Sequence, residues 1–423
     1  MSIMAALGLQ RVGTMEGYRA PVVGLLGEWL ARANAARVHL AVCTAYYHTF
    51  CVDSDSESKE DNCRKRAENV FSTVVDTITR HSSHIAHLEF YIPSTLFAVM
   101  SESEFSGTWE ILSTLVLSMP SNEGGEEVPF DTVKLFQNSP ALTDLTIDYC
   151  DSLMDYALPW SNLVNLKLKG IRCINVADAL ALCPRLETLT AKAVFEGPPW
   201  PPEARARRVV HKNLKSFRYT KHDEDATKIH KSQELFLQLQ LPGLKSWFLR
   251  MGSAEDEEMP ATSLLLRPLV SDELDATPSK LYIGYTGLDS QDMLAFLQFR
   301  PSLRHLRLVN NQWSGGDVYF MKELFRRMAG PNQPLLPNLQ SLVLNELLYR
   351  SSWDSDTDDE EYISLQPLFD CLAKRWGRPG NGIDSAQAQL RSVVVRPRKR
   401  YPITEEQKGM LDFWRVLGYK ILI

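Results

Sequence analysis

A six-residue pattern recurs along the chain, with apolar residues at its first, fourth and sixth positions. Ten copies begin at Ile85, Leu112, Leu142, Leu163, Leu186, Leu214, Leu244, Leu303, Leu339 and Leu390. An eleventh copy, from Pro278, has its first apolar position replaced. The last two apolar residues are two positions apart, so in a short strand both side chains point to one side. One such strand cannot bury that side alone, so the copies are predicted to stack as a parallel sheet over one core.

The spacing of the copies favours one architecture over its alternative. Successive copies begin 21 to 51 residues apart, and most intervals are close to the 20–29 residues of leucine-rich repeats. Helical apolar spacing marks intervening segments, most clearly Val176–Cys183, Gln233–Gln240, Gln291–Phe299 and Val318–Met328. The predicted fold is α/β, an irregular leucine-rich-repeat solenoid with a curved parallel sheet and helices on its convex side. Several unrelated strands in an ordinary α/β sheet would not explain so many near-copies of one pattern.

Three regions follow from where the pattern occurs. Residues 1–80 lack it and are predicted to cap the sheet, residues 81–396 form the solenoid, and residues 397–423 form a C-terminal cap. The first cap is predicted to contain a helix at Gly24–Ala35, a strand at Val38–Cys51, a charged loop at Asp53–Asp61 and a helix at Asn69–Arg80. Insertions without apolar periodicity are predicted at Asn122–Glu127, Gly197–Arg208, Ala254–Glu258 and Asp354–Glu361.

Composition excludes several classes of protein. The 423 residues carry a net charge of −6, which argues against a dedicated nucleic-acid binder. No apolar run of 18 residues occurs, so we expect no membrane-spanning helix and no membrane partner. The seven cysteines are widely spaced without a CxxC pair, which indicates reduced thiols, no zinc site, and a cytoplasmic or nuclear protein.

Candidate metal sites have more ordinary explanations. His81, His84 and His87 are three residues apart, but metal ligands must converge, and His87 lies in a predicted strand. Surface histidines are the favoured interpretation.

The segment from Asp354 resembles the start of a calcium loop. Asp359 and Leu365 occupy the positions where such a loop needs Gly and Glu. A solvated acidic loop is favoured, and phosphorylation of Ser352, Ser355 or Thr357 is the alternative.

No pattern of catalytic residues is present. The sequence contains no glycine-rich phosphate loop, no nucleophile elbow and no HExxH motif. Cys183 precedes a proline at the end of an apolar helix and is interpreted as a core thiol. We therefore expect no enzymatic activity, no catalytic or metal-ligating residues and no cofactor.

The residues that alternate with the core positions are predicted to line the concave face of the sheet, where solenoids usually bind. Over the eleven copies these residues form two columns with 22 positions in total. Seven of the 22 are basic, and only Glu89 and Asp148 are acidic. The predicted partner-binding residues are Lys167, Lys169, Lys192, Arg218, Phe248, Arg250, Tyr282 and Arg307, with Trp247 nearby. Such a face would attract an acidic or phosphorylated protein segment. The alternative is that these cations only keep an open sheet soluble, and a register error of one residue would exchange the columns with the core.

Several phrases resemble those of basidiomycete fungal F-box proteins with degenerate leucine-rich repeats. They are EWLARANAARVHL from Glu28, FQNSPALTDLTI from Phe136, LPWSNLVNLKL from Leu158, LALCPRLETLT from Leu180, LQLPGLKSWFL from Leu239 and LLPNLQSLVL from Leu335. The resemblance covers about Glu28 to Val395 and implies the substrate-recognition part of an F-box (SCF-type) ubiquitin ligase receptor. The F-box itself is not recognisable, which argues against docking to a Skp1-type adaptor through that module. The alternative is a stand-alone leucine-rich-repeat scaffold.

Overall fold

The structure, a computed structural model, describes most residues of the chain. These are residues 19–33, 36–43, 57–102, 107–119, 132–150, 152–195, 208–221, 229–251, 278–284, 287–309, 312–314, 317–330, 334–347, 365–376, 390–397 and 403–423. The chain divides into two compact units, Met1–Phe195 and Glu196–Ile423. Each unit is an α/β structure built on parallel strands, so the predicted class and strand direction are confirmed.

The first unit contains a sheet in which each strand pairs in parallel with the next along the chain. Its described strands are β1 (Val38–Cys43), β2 (Ile85–Tyr91), β3 (Thr114–Ser118), β4 (Asp144–Cys150), β5 (Asn165–Arg172) and β6 (Thr188–Phe195). The described helices are α1 (Arg19–Ala33), α2 (Glu57–Arg80), α3 (Ser94–Glu102) and α4 (Cys173–Leu182). Short 3₁₀ turns lie at Ser82–His84, Leu153–Asp155 and Trp160–Asn162.

The second unit repeats this construction with a parallel sheet in the order β8-β10-β11-β13-β15-β16-β17. The described strands are β7 (Val209–Val210), β8 (Ser216–Lys221), β9 (Leu239–Gln240), β10 (Ser246–Met251), β11 (Lys280–Gly284), β12 (Gly287–Asp289), β13 (His305–Val309), β14 (Gln312–Ser314), β15 (Ser341–Leu347), β16 (Ser392–Pro397) and β17 (Lys420–Leu422). Two short parallel pairs, β7-β9 and β12-β14, accompany the main sheet. The described helices are α5 (Ile229–Gln238), α6 (Ser290–Gln298), α7 (Asp317–Met328), α8 (Gln366–Trp376) and α9 (Glu405–Val416).

The three apolar positions of the pattern all lie in the core. In the fourth copy Leu163, Leu166 and Leu168 are 0%, 2% and 0% exposed, and burying each such side chain contributes about 1.5–3 kcal/mol. A repeated hydrogen-bond pair fixes the turn before most of the main-sheet strands: for example, the amides of Val164 and Asn165 both donate to the carbonyl of Thr143, in the preceding copy. Apolar spacing and backbone pairing therefore stack the copies in the same register.

The core position of Trp247 corrects one expectation about the binding face. Trp247 is 1% exposed and packs edge-on against Phe217 and Phe236 at centroid distances of 5.1 and 5.7 Å. It occupies the fourth position of its copy, and that position points into the core throughout. Trp247 is therefore not part of the face on which Phe248 lies.

The N-terminal region differs from the predicted arrangement of loop and helix. The charged loop predicted at Asp53–Asp61 is wrong for its last five residues, because α2 begins at Glu57 and runs without a break to Arg80. The good helix formers Glu and Lys outweigh the serines of this segment. The first part of the strand predicted at Val38–Cys51 is present as β1, and residues 44–51 lie outside the described part.

The structure describes the predicted helices between the copies but not most of the predicted insertions. The four predicted interrepeat helices appear as α4, α5, α6 and α7, with ends shifted by at most four residues. Helices α3 and α8 and strand β17 were not predicted. The acidic insertions, including the calcium-like segment and its candidate phosphorylation positions up to residue 364, lie outside the described residues, as do residues 197–207.

A buried guanidinium joins α7 and α8. Arg375 is 6% exposed and donates to the carbonyls of Met328, Leu335 and Leu336. Met328 ends α7, where unpaired carbonyls concentrate negative partial charge. The helix terminus and the following turn thus compensate the buried charge. Among the described helices, none has the length and apolar character needed to cross a bilayer.

Candidate binding face

Rows of side chains alternate with the core residues on each sheet, and we call this side of each unit the open face. In the first unit the central row runs Glu89, Val116, Thr146, Lys167, Thr190. In the second it runs Arg218, Phe248, Tyr282, Arg307, Val343, Val394. This is the register predicted from the sequence, and the core neighbours of these residues are at most 2% exposed.

Four residues of the second unit form a continuous stack that we call the Arg–aromatic ladder, namely Arg218, Phe248, Tyr282 and Arg307. The guanidinium carbon of Arg218 lies 4.1 Å from the centroid of the Phe248 ring. The Phe248 and Tyr282 rings stack at 4.0 Å with an interplanar angle of 6°. The guanidinium carbon of Arg307 lies 4.9 Å from the Tyr282 centroid. The ladder therefore crosses four neighbouring strands, one residue from each.

The ladder leaves specific edges available for a ligand. Each ring has one face against the other ring and the other face against a guanidinium, so the rings present only their edges. Arg218 and Arg307 are exposed, and within the described part of the chain no carboxylate lies at ion-pair distance from either guanidinium. A guanidinium stacked on a ring keeps its in-plane N–H groups free, and those groups bind carboxylate or phosphate bidentately.

A glycine positions the middle of the ladder. Gly284 lies two residues after Tyr282 on β11 and is itself buried. A Cβ atom added there would lie 3.3 Å from Cε1 of Tyr282 and 3.4 Å from its hydroxyl oxygen. The Tyr282 ring thus extends over the backbone of Gly284, and a larger residue would push the ring away from Phe248.

Two further basic residues lie near the Arg307 end of the ladder. Lys280 and His305 face each other in register on β11 and β13, two residues before Tyr282 and Arg307. Partial burial lowers the pKa of His305, and the positive charges of Lys280 and Arg304 lower it further. Sequence reasoning missed this row, although the same alternation that defines the other two rows could have found it, since these residues occupy the third position of their copies.

The predicted lysines of the first unit have different surroundings. Lys169 Nζ lies 2.5 Å from Asp148 Oδ2 on the neighbouring strand β4. Lys167 and Lys192 are exposed. The Lys169–Asp148 ion pair neutralises part of the predicted positive face.

A hydrogen-bonded cluster forms the other end of this face. Nε2 of His87 lies 2.6 Å from Oε1 of Glu89, and the Tyr91 hydroxyl donates to Oε2 of Glu89 at 2.8 Å. The His87 ring stacks on His39 of β1 at 5.1 Å. Within the described residues, no group of three His, Cys, Asp or Glu side chains is arranged to hold a metal ion.

The cluster shifts the pKa of two of its members. Partial burial alone would raise the pKa of Glu89, but the hydrogen bonds from His87 and Tyr91 hold it below its ordinary value. Partial burial, together with the bond to the Glu89 carboxylate, raises the pKa of Tyr91 to about 12. Glu89 is therefore a carboxylate that its neighbours already satisfy.

The predicted site residues fall into separate groups. Arg218, Phe248, Tyr282 and Arg307 contact one another as the ladder, and Arg250 lies one row further along the open face of the second unit. Lys167, Lys169 and Lys192 belong to the first unit. Cys183 is completely buried, and burial raises the pKa of its thiol to about 12.

A scan against models of protein families and a search of curated proteins both find no match to this chain. The geometry of the open faces is therefore the basis on which a function can be argued.

Proposed function

We propose that the chain is a non-enzymatic protein-interaction module, built as a leucine-rich-repeat solenoid, that binds an acidic or phosphorylated segment of a partner protein on the open face of its second unit. The Arg–aromatic ladder is the observation that carries this proposal. It combines two exposed guanidinium groups, held in place by rings, with an open face on which the described side chains include no carboxylate.

Ring stacking prepares the two arginines for binding. A guanidinium over an aromatic face is stabilised by about 0.5–1 kcal/mol at an exposed site. Holding the side chain in one place reduces the entropy lost when a ligand binds. Each exposed ion pair contributes only about 0–1 kcal/mol, so the proposal requires both arginines to contact one ligand.

An acidic protein segment fits the ladder better than a nucleic acid does. Single-stranded nucleic acids bind by stacking bases on open aromatic faces, and both faces of Phe248 and Tyr282 are already covered. The net charge of −6 also disfavours a polyanion that must be held along its length.

The resemblance described above suggests where such a module acts. By that resemblance the partner is the substrate of an F-box type ubiquitin ligase, and the chain is the substrate-recognition part of the receptor. The second candidate is a stand-alone leucine-rich-repeat scaffold without a ubiquitin-ligase link. The seven widely spaced cysteines, among which no CxxC pair occurs, support placing either candidate in the cytoplasm or nucleus.

Binding of a labelled Gly/Ser peptide that carries several glutamates tests the interaction, and the same peptide with glutamine in their place is the control. We expect saturable binding of the glutamate peptide that Arg218→Gln combined with Arg307→Gln removes, while the thermal melting curve stays the same. Equal binding of both peptides, or no effect of the two substitutions, would refute the proposed face.

Affinity capture of the tagged chain from a fungal lysate, followed by mass spectrometry, separates the two candidates. Recovery of a Skp1-type adaptor together with a cullin supports the ligase receptor. Their absence alongside recovered acidic partners supports the scaffold.

A further inference from the structure

We infer that the Arg–aromatic ladder selects its partner by the spacing of two acidic residues, which lie four positions apart in an extended segment with an apolar residue midway. This inference rests on the proposed function and makes it specific. It follows from the length of the ladder, the nature of its middle and the point at which it ends.

The ladder sets an upper limit on the distance between its two cations. Its three contacts measure 4.1, 4.0 and 4.9 Å, so the guanidinium carbons of Arg218 and Arg307 lie at most about 13 Å apart. The backbone agrees, since the two residues are on strands separated by three strand spacings, or about 14 Å.

An extended peptide matches this distance at one spacing. Its residues rise about 3.3 Å each, and alternate side chains point to the same side. Residues two, four and six positions apart are therefore about 7, 13 and 20 Å apart on one side. Only the spacing of four places one carboxylate at each guanidinium while both side chains face the ladder.

The middle of the ladder determines what lies between the two acids. The side chain halfway along such a segment faces the edges of the Phe248 and Tyr282 rings, which are half-buried. An apolar side chain there removes ring edge from water, whereas a charged one loses hydration without gaining a partner.

The charged part of the row ends at Arg307. Val343 follows Arg307 in register on β15, and Val394 follows on β16. A third acid further along would therefore face aliphatic side chains. The pattern read by the ladder thus has two acidic positions rather than a continuous acidic run.

The test is a series of fluorescein-labelled peptides, each with two aspartates and one leucine midway in a Gly/Ser background. The aspartates are two, four, six or eight positions apart, and fluorescence anisotropy measures Kd for the full chain. We expect the spacing of four to bind about tenfold more tightly than the other three. Arg218→Gln should make all four peptides equal, whereas Lys192→Gln on the first unit should leave the preference unchanged.

The outcomes separate the inference from the proposed function. If all four peptides bind alike and still require Arg218 and Arg307, the spacing rule fails and the acidic-segment module stands. A preference for eight, which brings two acids about 12 Å apart in a helix, would overturn the extended conformation. If no peptide binds the wild-type chain while circular dichroism shows it folded, both proposals fail.

Discussion

The open faces of the two units share one repeat pattern and one register but differ in how their charges are used. On the first unit Asp148 pairs with Lys169, and Glu89 is bonded to His87 and Tyr91. On the second unit, Arg218 and Arg307 stack on aromatic rings, and the described side chains of this face include no carboxylate. A basic residue next to an acid is largely neutralised, whereas one held on a ring keeps its charge available.

The comparison shows that counting cations along a repeat column does not locate a binding site. Lys169 and Arg218 both lie on an open face, in neighbouring rows of the pattern, but their cross-strand neighbours differ. Neighbours on adjacent strands are about 4.8 Å apart, close enough for ion pairs or ring stacking to decide which cations remain available to a ligand. The second unit is therefore the stronger candidate for binding.

The largest expected effect comes from reversing the charges on each unit separately. Arg218→Glu with Arg307→Glu should weaken binding of the peptide with aspartates four apart more than 100-fold, because two attractions become repulsions. Lys167→Glu with Lys192→Glu, a matched pair of exposed residues on the first unit, should change Kd less than threefold. Anisotropy titration measures both, and equal losses would show that the difference between units is not functional.

Displacing Tyr282 should have an intermediate effect. Gly284→Val places side-chain atoms where the Tyr282 ring lies, so the ladder loses its centre and we expect about tenfold weaker binding. Gly409→Ala in α9, where an added Cβ meets nothing within 4 Å, is the control and should stabilise the chain by about 0.5–1 kcal/mol. Unchanged Kd for Gly284→Val would mean that the stacked tyrosine is dispensable.

Removing the acid that pairs with Lys169 should make the first unit more like the second. Asp148→Asn leaves the ammonium group without its carboxylate, and we expect the peptide to bind about threefold more tightly to a chain whose ladder carries Arg218→Gln and Arg307→Gln. The same ladder variant with Asp148 intact provides the baseline. An unchanged Kd would show that the Lys169–Asp148 ion pair is not the reason why this face binds the peptide weakly.

The smallest expected effect is on acid stability and concerns the first unit alone. The pKa of Glu89 is lowered in the fold, so its contribution is present above its ordinary value of 4.5 and is lost as pH falls through the folded value. Its exposure limits that contribution to about 0.5 kcal/mol. Glu89→Gln should therefore show a smaller drop in melting temperature between pH 6 and pH 3 than the wild type. A drop as large as in the wild type would contradict the assignment.

Much of the fold follows from the sequence because the core imposes it. Leu166 and Leu168 must share one side of a strand, so Lys167 and Lys169 must take the other, and stacking then aligns every copy. The same alternation places Trp247, the fourth residue of its copy, in the core and not near the binding face. The start of α2 at Glu57 was missed because a serine-rich, acidic composition is common to loops and to exposed helices.

The chemistry of the site depended on details that the pattern does not contain. The stacking of Phe248 on Tyr282 depends on side-chain conformations and on the space above Gly284. The pairing of Lys169 with Asp148 depends on which two strands are adjacent and on the rotamers that bring the charges together. Residue type at each position was predictable, but the partner of each charge was not.

Covalent footprinting reports which cations a ligand covers, so it shows whether the Arg–aromatic ladder is the binding site. The chain is treated with phenylglyoxal for arginine and with an acetylating reagent for lysine, with and without the peptide that has aspartates four apart. Mass spectrometry then compares modification rates. We expect slower modification of Arg218 and Arg307, whereas Lys167 and the exposed Arg185 of the first unit should react at unchanged rates. Protection of Lys167 with full reactivity of Arg218 and Arg307 would contradict this expectation.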